Sequence, residues 1–88
     1  DYVLVTLKAV GLPSAAPQIA KLMGPGTAVV SAVNGIPWWY FHKLAGPHEG
    51  RRVESVDPGG VVSRYLPPER AIGAIVYPAA EVTEPGVI

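Results

Sequence analysis

Three stretches of the chain are almost continuously β-branched or aliphatic, at residues 2–7, 27–33 and 71–77. Such runs are typical of strands buried on both faces, as in a parallel sheet covered by helices. The first two runs and the segment between them are complete by residue 33, a length that suits a right-handed strand–helix–strand crossover. The pattern therefore predicts an α/β fold with a mostly parallel sheet and flanking helices.

A short helix is predicted between the first two runs. Ile19, Leu22 and Met23 recur at helical spacing, and Ser14 is placed to cap the helix at its start. The Gly-Pro-Gly sequence at residues 24–26 should end it.

The second half of the chain has weaker signals. Pro37 suits the first position of a helix over residues 38–45, and residues 60–66 predict one or two helical turns before two prolines. The polar stretch at 47–58 is interpreted as a surface excursion, and residues 80–88 as an antiparallel strand pair around a turn at 84–86.

Composition bounds the class of protein. The chain has 88 residues, enough for one domain with a thin core, and no cysteine to supply a disulfide. Seven basic and seven acidic residues give zero net charge, which argues against nucleic-acid binding. No apolar run approaches the roughly 18 residues of a membrane span, and no signal-peptide pattern precedes the first run. We expect a cytoplasmic protein, cut at both ends, that needs a neighbouring segment for stability.

Ligands of open parallel sheets bind outside the carboxyl ends of the strands, which here selects Lys8, Asn34 and the corner at residues 77–79. The Lys8 ammonium could meet a phosphate or an adenine edge, or could simply reach water. The Asn34 amide could bind a carboxamide or hydroxyl, with Gly35 allowing close approach; alternatively, the Asn-Gly pair forms only a turn.

Other candidate sites are weaker. Four successive aromatic residues at 38–41 would point all round a helix, so at least one should need a cover. Packing against a part of the same polypeptide that is absent from these 88 residues is favoured over a dedicated ligand or partner surface. His42 and His48 lack metal-ligand spacing, and neither a nucleophile elbow nor a phosphate-binding glycine loop is present. The chain holds no complete catalytic constellation.

Several motifs together carry a family resemblance. Residues 4–9 with Lys8, the Asn34-Gly35 pair 26 residues after Lys8, and the segments 24–27, 69–73 and 77–80 resemble the ketopantoate reductase (2-dehydropantoate 2-reductase) family. The resemblance implies an NADPH-binding Rossmann-type domain followed by a helical domain, and reduction of ketopantoate to pantoate in pantothenate and coenzyme A biosynthesis. According to this resemblance, residues 1–88 are the later part of the first domain and contain neither the glycine-rich βαβ unit nor the helical domain.

The resemblance also implies roles for individual residues. Lys8, Asn34 and Ala79 match cofactor contacts, and Asn34 also matches a substrate contact. The family's catalytic lysine and glutamate would lie outside these residues, so the isolated chain is expected to be inactive. Residues 37–68 are longer than in better-known members, which leaves open a related dehydrogenase acting on another 2-oxo acid. A non-catalytic interaction module using residues 38–41 is a further alternative, and a homodimer is left open.

Overall fold

A computed structural model of the chain describes residues 1–87. Three short strands form one parallel sheet in the order β1 (Tyr2–Val5), β2 (Ala28–Ser31) and β3 (Ala71–Gly73). Val3 of β1 lies opposite Val29, and Val30 of β2 lies opposite Ile72. The predicted α/β class with a parallel sheet is confirmed, although each strand is shorter than its apolar run.

Two helices and three 3-10 turns connect the strands. Helix α1 (Leu12–Ala20) follows a 3-10 turn at Ala9–Gly11, and helix α2 (Val61–Tyr65) follows one at Pro58–Gly60. A third 3-10 turn at Pro68–Arg70 leads directly into β3. The helical turns predicted at 60–66 are therefore confirmed.

The bounds of α1 differ from the prediction. The helix begins at Leu12, and Ser14 lies inside its first turn, where the hydroxyl donates to the carbonyl oxygen of Gly11 at 3.1 Å. The predicted capping role of Ser14 is wrong, because Gly11 occupies the N-cap position and Ser14 lies within the helix, where its hydroxyl does not accept from a backbone N–H. Leu22 lies beyond the end of the helix and is exposed.

One face of the sheet carries the core. The buried apolar residues are Val5, Leu12, Ala16, Val29, Trp38, Val62 and Leu66. On the opposite face, Tyr2 and Leu4 are 72% and 70% exposed, and Ile72 of β3 is exposed as well. Within residues 1–87, the outer strands β1 and β3 are therefore buried on one face only.

The helix predicted over residues 38–45 does not form. The segment makes successive turns, in which the N–H of Tyr40 donates to the carbonyl of Pro37 at 3.1 Å and that of His42 donates to Trp39 at 2.9 Å. Lys43 has a φ of +55°, a left-handed conformation that cannot continue a right-handed helix.

The last part of the chain is also less regular than predicted. Strand β3 ends at Gly73, and within the described residues an isolated antiparallel bridge between Glu84 and Val87 replaces the predicted strand pair. The bridge closes a tight turn in which Gly86 has a φ of +83°. Ile88, which belongs to the predicted pair, lies outside the described residues.

Candidate functional site

The carboxyl ends of β1 and β2 border a cleft of about 260 Å³. It is lined by Thr6, Leu7, Lys8, Ala9, Ala32, Val33, Asn34 and Val76. The N–H of Ala32 donates to the carbonyl of Val5 at 2.9 Å, which keeps the two chain segments side by side just beyond the strands. The structure thus brings two of the sequence-predicted residues, Lys8 and Asn34, into one cleft.

Lys8 lies between the end of β1 and the 3-10 turn that precedes α1. Its backbone is extended, and its carbonyl accepts a hydrogen bond from the N–H of Gly11 at 2.9 Å as the 3-10 turn begins. The side chain is exposed and makes no hydrogen bond or ion pair with any described residue. Its ammonium group is therefore available to an anion at the mouth of the cleft.

Asn34 lies at the sharp turn that follows β2. Gly35 has a φ of +101°, a conformation that an L side chain rarely adopts, and no atom lies within 4 Å of where its Cβ would be. The Asn34 amide is exposed and, within residues 1–87, has no side-chain hydrogen bond. The turn therefore presents an amide NH2 donor group and an amide oxygen acceptor beside an unobstructed stretch of backbone.

Ala79 is not brought to the same place. Because β3 ends at Gly73, residues 74–83 have no regular structure, and Val76 is the residue of this segment that lines the cleft. Ala79 is exposed, and its contact with a cofactor stays a prediction.

The aromatic segment packs largely against its own chain. Trp38 is 3% exposed, and its indole Nε1 donates to the carbonyl of Leu66 at 3.0 Å. The rings of Tyr40 and Phe41 lie edge to face, with their centroids 5.0 Å apart. Trp38 therefore belongs to the core described above, and the expectation that this segment waits for an absent cover is wrong for that residue.

A second cleft, which the sequence did not predict, lies beside α2. It measures about 410 Å³, and its lining includes Trp39, Arg51, Arg52, Gly60 and Arg64. Its signals in the sequence were the paired arginines, which were interpreted as part of a surface excursion, and the two glycines before α2, which lack the pattern of a phosphate-binding loop.

Glu54 fixes one wall of this second cleft. Its carboxylate accepts hydrogen bonds from Arg52 Nε and from the backbone N–H of Gly59, both at 2.8 Å. The Gly59 hydrogen bond, followed by that from Arg52, holds the pKa of Glu54 below its ordinary value. The same carboxylate raises the pKa of Arg52, which stays charged at any physiological pH.

Two kinds of feature are absent from residues 1–87, a metal-binding cluster and a membrane-spanning helix. These residues contain no group of three or more histidine, cysteine or carboxylate side chains placed to hold a metal ion. None of their helices has the length and hydropathy needed to cross a membrane.

Known proteins resemble this chain in both sequence and fold. A family model described as ketopantoate reductase PanE/ApbA matches residues 1–41. A 2-dehydropantoate 2-reductase of Mesorhizobium japonicum is 53% identical over all 88 residues. A crystal structure from Ralstonia solanacearum MolK2, described as a ketopantoate reductase, superposes on 98% of the chain with a TM-score of 0.87 and 43% identity. The predicted resemblance to the ketopantoate reductase family is confirmed.

The chain spans about a quarter of the length of these ketopantoate reductases: 27% of the Mesorhizobium protein and 26% of the Ralstonia chain. The segment that the family model matches contains Lys8, Asn34 and most of the cleft between β1 and β2. The arginines of the second cleft follow that segment, but the similarity to the Mesorhizobium reductase extends over them.

Proposed function

We propose that this chain is part of an NADPH-dependent reductase that reduces the keto group of a small 2-oxo acid, ketopantoate being the first candidate. The observation that carries the proposal is the cleft shared by Lys8 and Asn34, in a chain 53% identical to a 2-dehydropantoate 2-reductase. In open parallel sheets, the carboxyl ends of the strands are where nucleotide cofactors bind.

The proposal includes the place of the chain in the protein. Residues 1–88 form the nicotinamide side of an NADP-binding domain, and other parts of a longer polypeptide supply the glycine-rich βαβ unit and a helical domain. The one-quarter share of the relatives' length supports this division. A cytoplasmic location of the full-length enzyme is part of the same proposal.

The residues of the cleft fit part of such a cofactor. Its volume of about 260 Å³ lies just below the range of roughly 300–1,000 Å³ usual for small-molecule pockets, so it would hold one part of a dinucleotide. The Lys8 ammonium offers a positive charge to a phosphate oxygen or a donor to a ring nitrogen. When bound, the cofactor supplies the hydride.

Asn34 has the chemistry to orient both reactants. Its amide N–H can donate to the carbonyl oxygen of a 2-oxo acid, while its amide oxygen can accept from a carboxamide N–H. Gly35 has no side chain to obstruct a ring lying against the turn. Leu7 and Val76 line the same cleft and would help to exclude water from the reacting carbon. The Ala79 backbone is proposed as a further cofactor contact.

The test uses the full-length polypeptide that contains this chain. NADPH oxidation is followed with ketopantoate and a panel of other 2-oxo acids, and Asn34→Ala is compared with the unmodified enzyme. Loss of one positioned hydrogen-bond donor should lower kcat/KM by roughly 10²-fold. Gln18→Ala is the matched control, since it removes an exposed amide from α1, away from the cleft.

Two results would count against the proposal. Turnover of Asn34→Ala equal to that of Gln18→Ala would remove Asn34 from the mechanism. Absence of NADPH oxidation with every 2-oxo acid of the panel would contradict the reaction class itself.

A further inference from the structure

The second cleft carries an unusual concentration of positive charge. Three of the seven basic residues of the chain, Arg51, Arg52 and Arg64, line it, and no carboxylate is among its lining residues. It shares no lining residue with the cleft that contains Lys8 and Asn34. Its chemistry is therefore unexplained by the proposed reductase activity.

The nearby carboxylates are bound elsewhere. Asp57 is fully buried, and its carboxylate accepts hydrogen bonds from the backbone N–H groups of Val62 and Ser63, at 2.7 and 3.2 Å, and from the Ser63 hydroxyl. Both oxygens of Glu54 are taken by Arg52 and Gly59. Neither acidic side chain is oriented to neutralise the remaining guanidinium groups.

The arginines are held in place to different degrees. Arg52 is fixed by Glu54 and packs over Gly60, where a Cβ would lie 3.0 Å from its Cδ and Nη1 atoms. Arg51 donates to Nδ1 of His48 at 2.8 Å. Arg64, on α2, forms no hydrogen bond or ion pair within residues 1–87 and is exposed.

An aromatic wall completes the cleft. Trp39 lines it, and the far edge of the indole ring reaches Gly73, whose Cβ would lie 2.9 Å from Cη2. The Trp39 indole N–H is buried and lacks a partner among the described residues. A planar or apolar body could lie along this ring while its anionic end meets the arginines.

We propose that this cleft is an anion-binding site for a phosphorylated small molecule, separate from the cofactor and substrate cleft. Three guanidinium groups, one of them paired with Glu54, leave a charge of about two positive, which matches the charge of about −1.5 to −2 on a phosphate monoester at neutral pH. Guanidinium groups also fit phosphate oxygens with paired hydrogen bonds.

The test is a titration of the full-length polypeptide with inorganic phosphate and with diphosphate, followed by calorimetry and by the indole N–H resonance of Trp39. That resonance is assigned with Trp39→Phe. Both anions should bind and shift the resonance, and Arg64→Gln should weaken binding by about tenfold or more, the usual effect of losing one charge-assisted contact. Because glutamine also favours helices, α2 should persist in this variant.

Two matched variants make the outcome decisive. Lys21→Gln removes an equal charge from the exposed end of α1, and Lys8→Gln removes one from the cofactor cleft. Binding lost in Arg64→Gln but kept in both controls supports the proposal. Equal weakening in Arg64→Gln and Lys21→Gln, loss only in Lys8→Gln, or no binding of either anion would overturn it. The titration contains neither NADPH nor a 2-oxo acid, so its failure would leave the proposed reductase activity intact.

Discussion

Trp38 joins the aromatic segment to the end of α2 through one buried hydrogen bond. Its Nε1 lies 3.0 Å from the carbonyl oxygen of Leu66, a residue 28 positions later in the chain. Both residues belong to the core, with Trp38 3% exposed and Leu66 fully buried. Trp38→Phe keeps an aromatic ring at this position but removes the donor, which isolates the contribution of the hydrogen bond from most of the packing.

The expected cost follows from two effects. A buried carbonyl that loses its partner costs about 1–3 kcal/mol. The ring atoms absent from phenylalanine remove roughly a further 1 kcal/mol of apolar burial. We therefore expect Trp38→Phe to destabilise the region around α2 by about 2–4 kcal/mol.

Native-state hydrogen exchange on the full-length polypeptide measures this effect where it arises. The N–H of Leu66 donates to the carbonyl of Val62 at 2.7 Å, so its protection reports the stability of the last turn of α2. Since each 1.4 kcal/mol corresponds to a factor of ten, exchange should accelerate from about 30-fold to nearly 1,000-fold.

Trp39→Phe provides the matched control, since the indole N–H of Trp39 has no partner among residues 1–87 and its removal breaks no hydrogen bond. A similar loss of protection in the two variants would refute the assignment of stability to the Trp38–Leu66 hydrogen bond.

Two further predictions concern the carboxylates before α2. Asp57→Ala should destabilise the same region by about 2–4 kcal/mol, because the N–H groups of Val62 and Ser63 lose their acceptor; Ser55→Ala, at an exposed position, is the control in chemical denaturation. Glu54, whose pKa is lowered in the folded chain, should stabilise it above about pH 4.3 and lose this effect as the pH falls through the lowered value. The difference in thermal midpoint between the unmodified protein and Glu54→Gln should therefore shrink on acidification, and a difference independent of pH would contradict it.

The parallel sheet could be predicted because its signal is local. Continuous β-branched runs need only their own residues to indicate buried strands, and all three runs contain a strand. The ends of the strands could not be predicted, because pairing sets them. β3 pairs with β2 only from Ala71 to Gly73, and the N–H of Ala74 makes one last hydrogen bond to the carbonyl of Ser31 at 3.3 Å. Beyond β3, Val76 still lines the cleft that Lys8 and Asn34 share, whereas Ala79 is not among its lining residues.

The false helix at 38–45 has a different physical origin. Its aromatic residues have only moderate helix propensity, and Trp38 forms a hydrogen bond with Leu66 that no local pattern reveals. Tertiary contacts can override weak local preferences over so short a segment. The left-handed φ of Lys43 would in any case interrupt a right-handed helix at this position.

The second cleft shows how a chain with no net charge can still present a cationic surface. Arginines and carboxylates are interleaved between residues 49 and 64, which in sequence is typical of a solvated loop. In the fold, the carboxylates of Glu54 and Asp57 accept hydrogen bonds from backbone N–H groups of residues 59, 62 and 63. This use of the negative charges leaves Arg51 and Arg64, which also line the cleft, without a carboxylate partner among the described residues. The separation of charge therefore depends on the turn at residues 57–60, and a change that breaks this turn should abolish anion binding together with α2.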